Sequence, residues 1–199
     1  MSDIFLQSMT QLEPSLRAGE LDVCEETVVN KIRQAPRSPF DLSIEVDISN
    51  DPADIAKSFD DFFEMEAKRM TIAAAYTEMN EFDINPRLWF CDFFAYTSYG
   101  GHGDYDWLAR WQSENFPRYP IRGMEALQAV YARSAFGEES FRDAAYMSSL
   151  LVVIKFQKFI KRATAQMKLL RFPLLVTAHD FDFIAGFGPT NANPSGDAR

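Results

Sequence analysis

Residues 139–170, ESFRDAAYMSSLLVVIKFQKFIKRATAQMKLL, form the longest helical pattern in the chain. Its first half is apolar or small on almost every side, as Phe141, Ala144, Ala145, Ser148, Leu151 and Val152 illustrate. A helix without a polar face is typical of one that other elements surround. We therefore predict that residues 139–170 contain the central buried helix of the fold.

Strand patterns flank this helix on both sides in sequence. Residues 87–97 are too aromatic for an exposed element, which favours a central strand, while 172–178 and 181–187 indicate a terminal hairpin. In residues 40–48, apolar and polar side chains alternate strictly, which predicts a further strand with one face in the core.

Helical patterns occupy residues 14–35, a segment that begins at Asp51 and runs through Tyr76, and residues 124–136, with a short helix near 105–111. Asp51 followed by Pro52 is a good helix start, because the Asp side chain caps free backbone N–H groups. Strands and helices do not alternate regularly. We predict an α+β fold, with a mainly antiparallel or mixed sheet packed against several helices.

The length and composition fit a single domain. The chain has 199 residues, of which 47% are hydrophobic, and its 18 Phe, 7 Tyr and 3 Trp can build a core without disulfides or metal. We expect the domain to span residues 1–188, with 1–38 either part of it or a helical appendage. Residues 189–199 contain no apolar side chain larger than Ala and are expected to form a disordered tail.

The net charge of −9 is concentrated near the start of the chain. Residues 1–66 hold 15 Asp and Glu against 5 Lys and Arg, whereas residues 154–199 hold 3 against 7. Such a charge repels nucleic acid and anionic lipid. With no secretory pattern at the N-terminus, no membrane-length apolar run and only two cysteines, we expect a cytoplasmic protein.

No motif specifies a reaction or a cofactor. The glycine-rich nucleotide-binding patterns and the Gly-x-Ser-x-Gly nucleophile motif are absent, and Cys91 lies in a bulky strand, where it is expected to be a core residue. We therefore expect no cofactor, and a binding protein rather than an enzyme.

Two turns combine histidine with carboxylates. They hold His102, Asp104 and Asp106 in one turn, and His179, Asp180 and Asp182 in the other. If the turns met, these side chains could bind a divalent metal or carry out acid–base chemistry, with His102, Asp104, His179 and Asp180 as the catalytic groups. The alternative is that Asp and Gly occur here because turns require them.

Two sets of side chains are candidates for a binding surface. Asp41, Glu45 and Asp47 would share one face of the predicted strand 40–48. Aromatic side chains in a Gly- and Pro-rich stretch resemble those of protein-binding hot spots, with a satellite core as the alternative: Tyr99, Tyr105, Trp107, Trp111 and Tyr119. The basic set near the end of residues 139–170 is expected to be solvated or to pair within the molecule, and Lys155, Lys158 and Arg162 share a face.

These features favour a protein-binding module whose acidic face engages a basic protein. Small, acidic, aromatic-rich chains without motifs are also typical of bacterial immunity proteins, which inhibit toxins. The alternative function is a metal-assisted hydrolase built on the two His/Asp turns. The sequence does not indicate an oligomeric state.

Overall fold

The computed structural model describes residues 3–80, 82, 88–133, 141–179 and 181–189. A five-stranded mixed sheet forms its centre, in the order β3-β2-β1-β4-β5. The strands are β1 (Ala74–Asn80), β2 (Phe90–Tyr96), β3 (Arg118–Pro120), β4 (Leu174–Ala178) and β5 (Ala185–Phe187). β1 pairs with β4 in parallel, and the three other pairings are antiparallel. This architecture confirms the predicted α+β class and the terminal hairpin.

The main core lies on one side of this sheet. Its helices are α1 (Asp3–Arg17), α2 (Leu21–Gln34), α3 (Pro52–Ala67), α4 (Glu125–Arg133) and α5 (Arg142–Thr164). The predicted central helix is confirmed, because α5 contacts α1, α2, α3, β4 and β5 and has 15 buried side chains among its 23 residues. Residues 1–38 were a possible appendage on sequence grounds, yet Phe5, Leu12 and Val28 belong to this same core.

The strand predicted over residues 40–48 is wrong. Residues Pro39–Ile44 form a 3₁₀ helix, whose first turn is capped by Ser38 through a hydrogen bond from the Phe40 amide at 3.2 Å. The Lys155 ammonium, held in α5, donates to the carbonyl oxygens of Ser43, at 2.9 Å, and Val46. Those carbonyls therefore bind a lysine instead of a neighbouring strand. Asp41 and Glu45 consequently do not share a strand face, since Asp41 lies in the 3₁₀ helix and Glu45 lies on the turn that follows it.

Two helix boundaries also differ from the prediction. The segment 14–35 is two helices, because Gly19 adopts a left-handed backbone with φ of 72° and ends α1, which contains Pro14 inside it. The helix begun at Asp51 has the predicted cap, with the Ala53 amide donating to Asp51 at 2.9 Å, but it ends at Ala67. Tyr76 lies in β1, since a short apolar run fits either a helix or a strand. The expected tail beyond residue 189 and the predicted helix end at Gly137 lie outside the described residues.

Candidate functional site

The two faces of the sheet have different partners. Along β2, Cys91, Phe93 and Ala95 point into the main core, so Phe90, Asp92, Phe94 and Tyr96 lie on the opposite, outer face. A second apolar cluster covers part of that outer face and is built on Tyr76, Phe94, Tyr96, Leu175 and Ile184. The loop between β2 and β3 supplies the cover.

Three of the predicted binding aromatics form this cover. Tyr99, Tyr105 and Trp107 are half-buried and pack on the second cluster, with the Trp107 ring 4.8 Å from that of Tyr96. The Tyr96 hydroxyl donates to the Leu108 carbonyl at 2.8 Å, which fixes the loop on the sheet. These residues are therefore a satellite core, the alternative that the sequence left open. Tyr119 is also half-buried, packed on the main core.

Trp111, in contrast, is exposed. Its side chain and that of Phe116 are 45% and 49% accessible, and both rings contact Phe94, at centroid distances of 5.1 and 6.0 Å. The two exposed rings are 6.3 Å apart. Together they form an aromatic group at the boundary where the covering loop ends.

A row of polar side chains continues the outer face beyond these rings. Glu78 on β1 lies directly opposite Asp92 on β2, so two carboxylates face each other at about 5 Å between Cβ atoms. The Tyr76 hydroxyl donates to Glu78 at 2.8 Å, and His179 Nδ1 lies 3.3 Å from the same carboxylate. Asp92 is two residues from Phe94 on the same face, so it lies about 7 Å along the strand from the ring that both exposed aromatic side chains contact.

Among these polar side chains, Asp92 is the one whose ionised form is disfavoured. It accepts a hydrogen bond from Asn80 Nδ2 at 3.0 Å, and Arg118 Nε lies 3.9 Å from it. Burial raises the pKa of the Asp92 carboxyl; the Arg118 charge opposes the shift and the Glu78 charge adds to it. The Arg118 guanidinium also lies 3.9 Å above the Phe90 ring, a cation–π contact. We call the set Glu78, Asp92, Trp111, Phe116 and Arg118 the aromatic–acidic surface.

The acidic residues chosen from the sequence do not share a strand face, and two of them have local partners. Asp41 pairs with Arg37 at 3.3 Å, and Asp47 accepts a hydrogen bond from the Ile48 amide at 2.8 Å. Glu45 is exposed on the turn that follows the 3₁₀ helix. The residues that sequence reasoning missed are Glu78, Asp92, Phe116 and Arg118. A carboxylate inside an otherwise apolar strand, as in Cys91-Asp92-Phe93, is the pattern that could have identified the outer face.

The two histidines of the His/Asp turns have different neighbours. His102 lies against β5, where a Cβ at Gly186 would come within 2.9 Å of the imidazole, and burial and the Arg17 charge lower the pKa of this histidine. Asp104 accepts a hydrogen bond from the Asp106 amide at 3.0 Å, whereas His179 lies beside Glu78. Asp180 lies outside the described residues. Within the part of the chain that the structure describes, no three His, Cys, Asp or Glu side chains are arranged to hold a metal ion.

Three lysines of the basic set on α5 bind acidic or carbonyl groups of the N-terminal half, in agreement with the expected pairing within the molecule: Lys155, Lys158 and Lys161. Lys158 pairs with Asp22 and Glu25, both at 2.5 Å, and Lys161 donates to the Gly19 carbonyl at 2.9 Å. Part of the N-terminal negative charge is thus neutralised inside the molecule. It follows that the local excess of acidic residues in the sequence overstates the acidity of that surface.

Comparisons with known proteins found no match: no protein family, no curated protein and no solved structure matches the chain. None of the helices in the described ranges combines the length and the apolarity that crossing a bilayer requires.

Proposed function

We propose that this protein binds a basic protein partner through the aromatic–acidic surface. The observation that carries the proposal is the pair of exposed rings, Trp111 and Phe116, standing on Phe94 beside the Glu78–Asp92 carboxylates. Trp, Phe and Arg are the side chains enriched in the centres of protein interfaces, where a few large anchors supply most of the affinity.

Electrostatics favours a cationic partner. The chain carries a net charge of −9, which steers basic proteins towards it and repels nucleic acid. The raised pKa of Asp92 means that its ionised form is held at a cost in the free protein. A lysine or arginine of the partner, placed between Asp92 and Glu78, would offset the cost of burying Asp92 through an ionic contact and would reduce the repulsion between the two carboxylates.

In its finer form, the proposal is an immunity-type inhibitor that acts in a bacterial cytoplasm and masks the cationic active site of a toxin. Small size, negative charge and exposed aromatic rings are what such masking requires, and the support is this analogy of composition. The metal-assisted hydrolase is not favoured by any of the described contacts.

The test compares capture of proteins from a lysate of the source organism by four immobilised chains. These are the wild type, Trp111→Ser/Phe116→Ser, Glu78→Gln/Asp92→Asn, and Leu169→Ser as a control at an exposed apolar side chain outside the surface. We expect a basic protein that binds the wild type and the control, is released by salt, and binds the aromatic double variant about 30-fold more weakly.

Capture that is equal for all four chains would contradict the proposal. So would light scattering that shows a wild-type dimer converted to a monomer by Trp111→Ser/Phe116→Ser, because a second copy would then occupy the surface. Circular dichroism of each variant verifies that the fold is retained.

A further inference from the structure

A cavity of about 230 Å³ lies beside Tyr105 of the covering loop. The C-terminal half of α1 forms one wall, Tyr105 forms another, and the segment that precedes β5 forms the floor. Two residues chosen from the sequence for different reasons, Tyr105 and Asp182, meet here. None of the residues that line the cavity belongs to the aromatic–acidic surface.

The cation in this cavity is already engaged. Arg17 donates through Nε and Nη2 to Glu13 Oε1, at 3.0 and 2.6 Å. This contact and the nearby Tyr105 phenol raise the pKa of Arg17, so its charge is permanent and largely compensated. An anionic ligand would therefore have to compete with Glu13 for the guanidinium.

Apart from the Tyr105 hydroxyl, which keeps its proton because burial raises its pKa, the groups that remain uncommitted are acceptors. Asp182 is exposed and makes no hydrogen bond or ion pair to any described residue, and Glu13 Oε2 likewise has no such partner within the described ranges. The Thr10 hydroxyl gives its proton to the Leu6 carbonyl at 3.0 Å, so only its acceptor lone pairs face a ligand. Leu16 on the α1 wall and Phe183 and Ile184 on the floor supply apolar surface.

We propose that this cavity binds a small organic cation, an alkyl chain that ends in an ammonium group. The ammonium would donate to Asp182 and Glu13 Oε2, and the alkyl chain would lie on Leu16, Phe183 and Ile184. Two carboxylates against one paired guanidinium leave the cavity with a net negative charge, which matches a cation. An ammonium has three donors and no acceptor, and it thus complements a lining that offers acceptors.

Two kinds of molecule carry an alkylammonium group: a free alkylamine, and a protein through its lysine side chains. The probes are therefore butylammonium and Nα-acetyl-lysine methylamide, with butanol and butyrate as the neutral and anionic counterparts of the first. Titrations followed by amide chemical shifts locate the binding, and calorimetry measures the affinity. Tighter binding of the lysine derivative would assign the source to a protein chain, and tighter binding of butylammonium would assign it to a free amine.

We expect saturable binding of butylammonium with shifts at Tyr105 and Ile184, and about tenfold weaker binding to Asp182→Asn, which loses a charged hydrogen-bond acceptor. The matched control is Asp106→Asn, which removes the same charge from the covering loop outside the cavity lining. The proposal is overturned if butylammonium shows no saturable binding, if butanol or butyrate binds as tightly, or if Asp182→Asn binds like the wild type. Failure here would leave the aromatic–acidic surface untouched, because the two sites share no residue.

Discussion

Glu66 offers the sharpest test of how the aromatic–acidic surface is held in place. This carboxylate of α3 is 0% exposed and accepts hydrogen bonds from the Asn115 amide at 3.1 Å, from Asn115 Nδ2 at 2.6 Å and from Arg69 Nη2 at 3.2 Å. Asn115 lies between the two exposed rings, Trp111 and Phe116, in the loop. This buried side chain therefore ties the loop that presents both rings to the helix layer.

The expected cost of Glu66→Ala follows from these contacts. Each hydrogen bond to a buried charge contributes about 1.5–3 kcal/mol, and the substitution leaves both Asn115 donors without their acceptor. Removing the carboxylate also relieves its own desolvation, which offsets part of the loss. Arg69 adds little, because it is partly exposed and keeps its pairing with Glu114 at 2.7 Å. We expect the free energy of unfolding to fall by about 3 kcal/mol.

The assay is urea unfolding at neutral pH, followed by far-ultraviolet circular dichroism. Glu64→Ala is the matched control, since Glu64 is an exposed residue of the same helix and the change should stay within about 0.5 kcal/mol. Asn115→Ala should lose about 2 kcal/mol, and the double variant should lose less than the sum of the two, because both residues act through one contact. A loss below about 1 kcal/mol for Glu66→Ala, or strict additivity in the double variant, would refute the reasoning.

Two further predictions concern buried charges. Burial raises the pKa of Asp92 above its ordinary value of 3.8, so its ionised form destabilises the folded state, and stability is lost as pH rises through the raised pKa. Asp92→Asn should therefore increase the free energy of unfolding by about 0.5 kcal/mol or more at neutral pH. In urea titrations this gain should disappear below pH 3.8, where the carboxyl is protonated in both states. An Asp92→Asn variant that is no more stable than the wild type at neutral pH would contradict this prediction. Burial lowers the pKa of Lys155 below 10.5, so folding favours its neutral form, and the stability of the wild type relative to Lys155→Met should rise with pH and level off above 10.5. A stability difference that does not change with pH would rule out burial of a charged lysine at this position.

The distribution of charge has a bearing on partner recognition. The sequence places most of its acidic residues in the first third, yet Lys158 pairs with Asp22 and Glu25, and the amides of Lys168 and Leu169 donate to Asp60. The proposed docking carboxylates, Glu78 and Asp92, lie instead in the centre of the chain. A local charge count therefore does not locate the acidic surface, because pairing across the fold removes part of it.

Local patterns determined several elements of this protein from the sequence alone. The all-round apolar character of residues 139–170 predicted the buried helix α5, and Asp51-Pro52 predicted the start of α3. The aromatic run at residues 87–97 and the strand patterns at 172–178 and 181–187 predicted three of the five strands, which the structure has at Phe90–Tyr96, Leu174–Ala178 and Ala185–Phe187. Each of these patterns is local, because it involves only residues that are near one another in the chain.

Only the tertiary structure decided what residues 40–48 form and which face of the sheet stays open. The alternating pattern of residues 40–48 is compatible with a strand. However, Lys155 binds carbonyls that would pair with a neighbouring strand in a sheet, although it is 112 residues away from Ser43 in the chain. Likewise, Glu66 and Asn115 are 49 residues apart, and their contact presents Trp111 and Phe116 on the outer face. Such contacts depend on how the backbone folds in three dimensions, which the hydrophobic periodicity of a short segment does not indicate. The sequence thus specified where the core elements lie, while the fold specified which side chains remain for a partner.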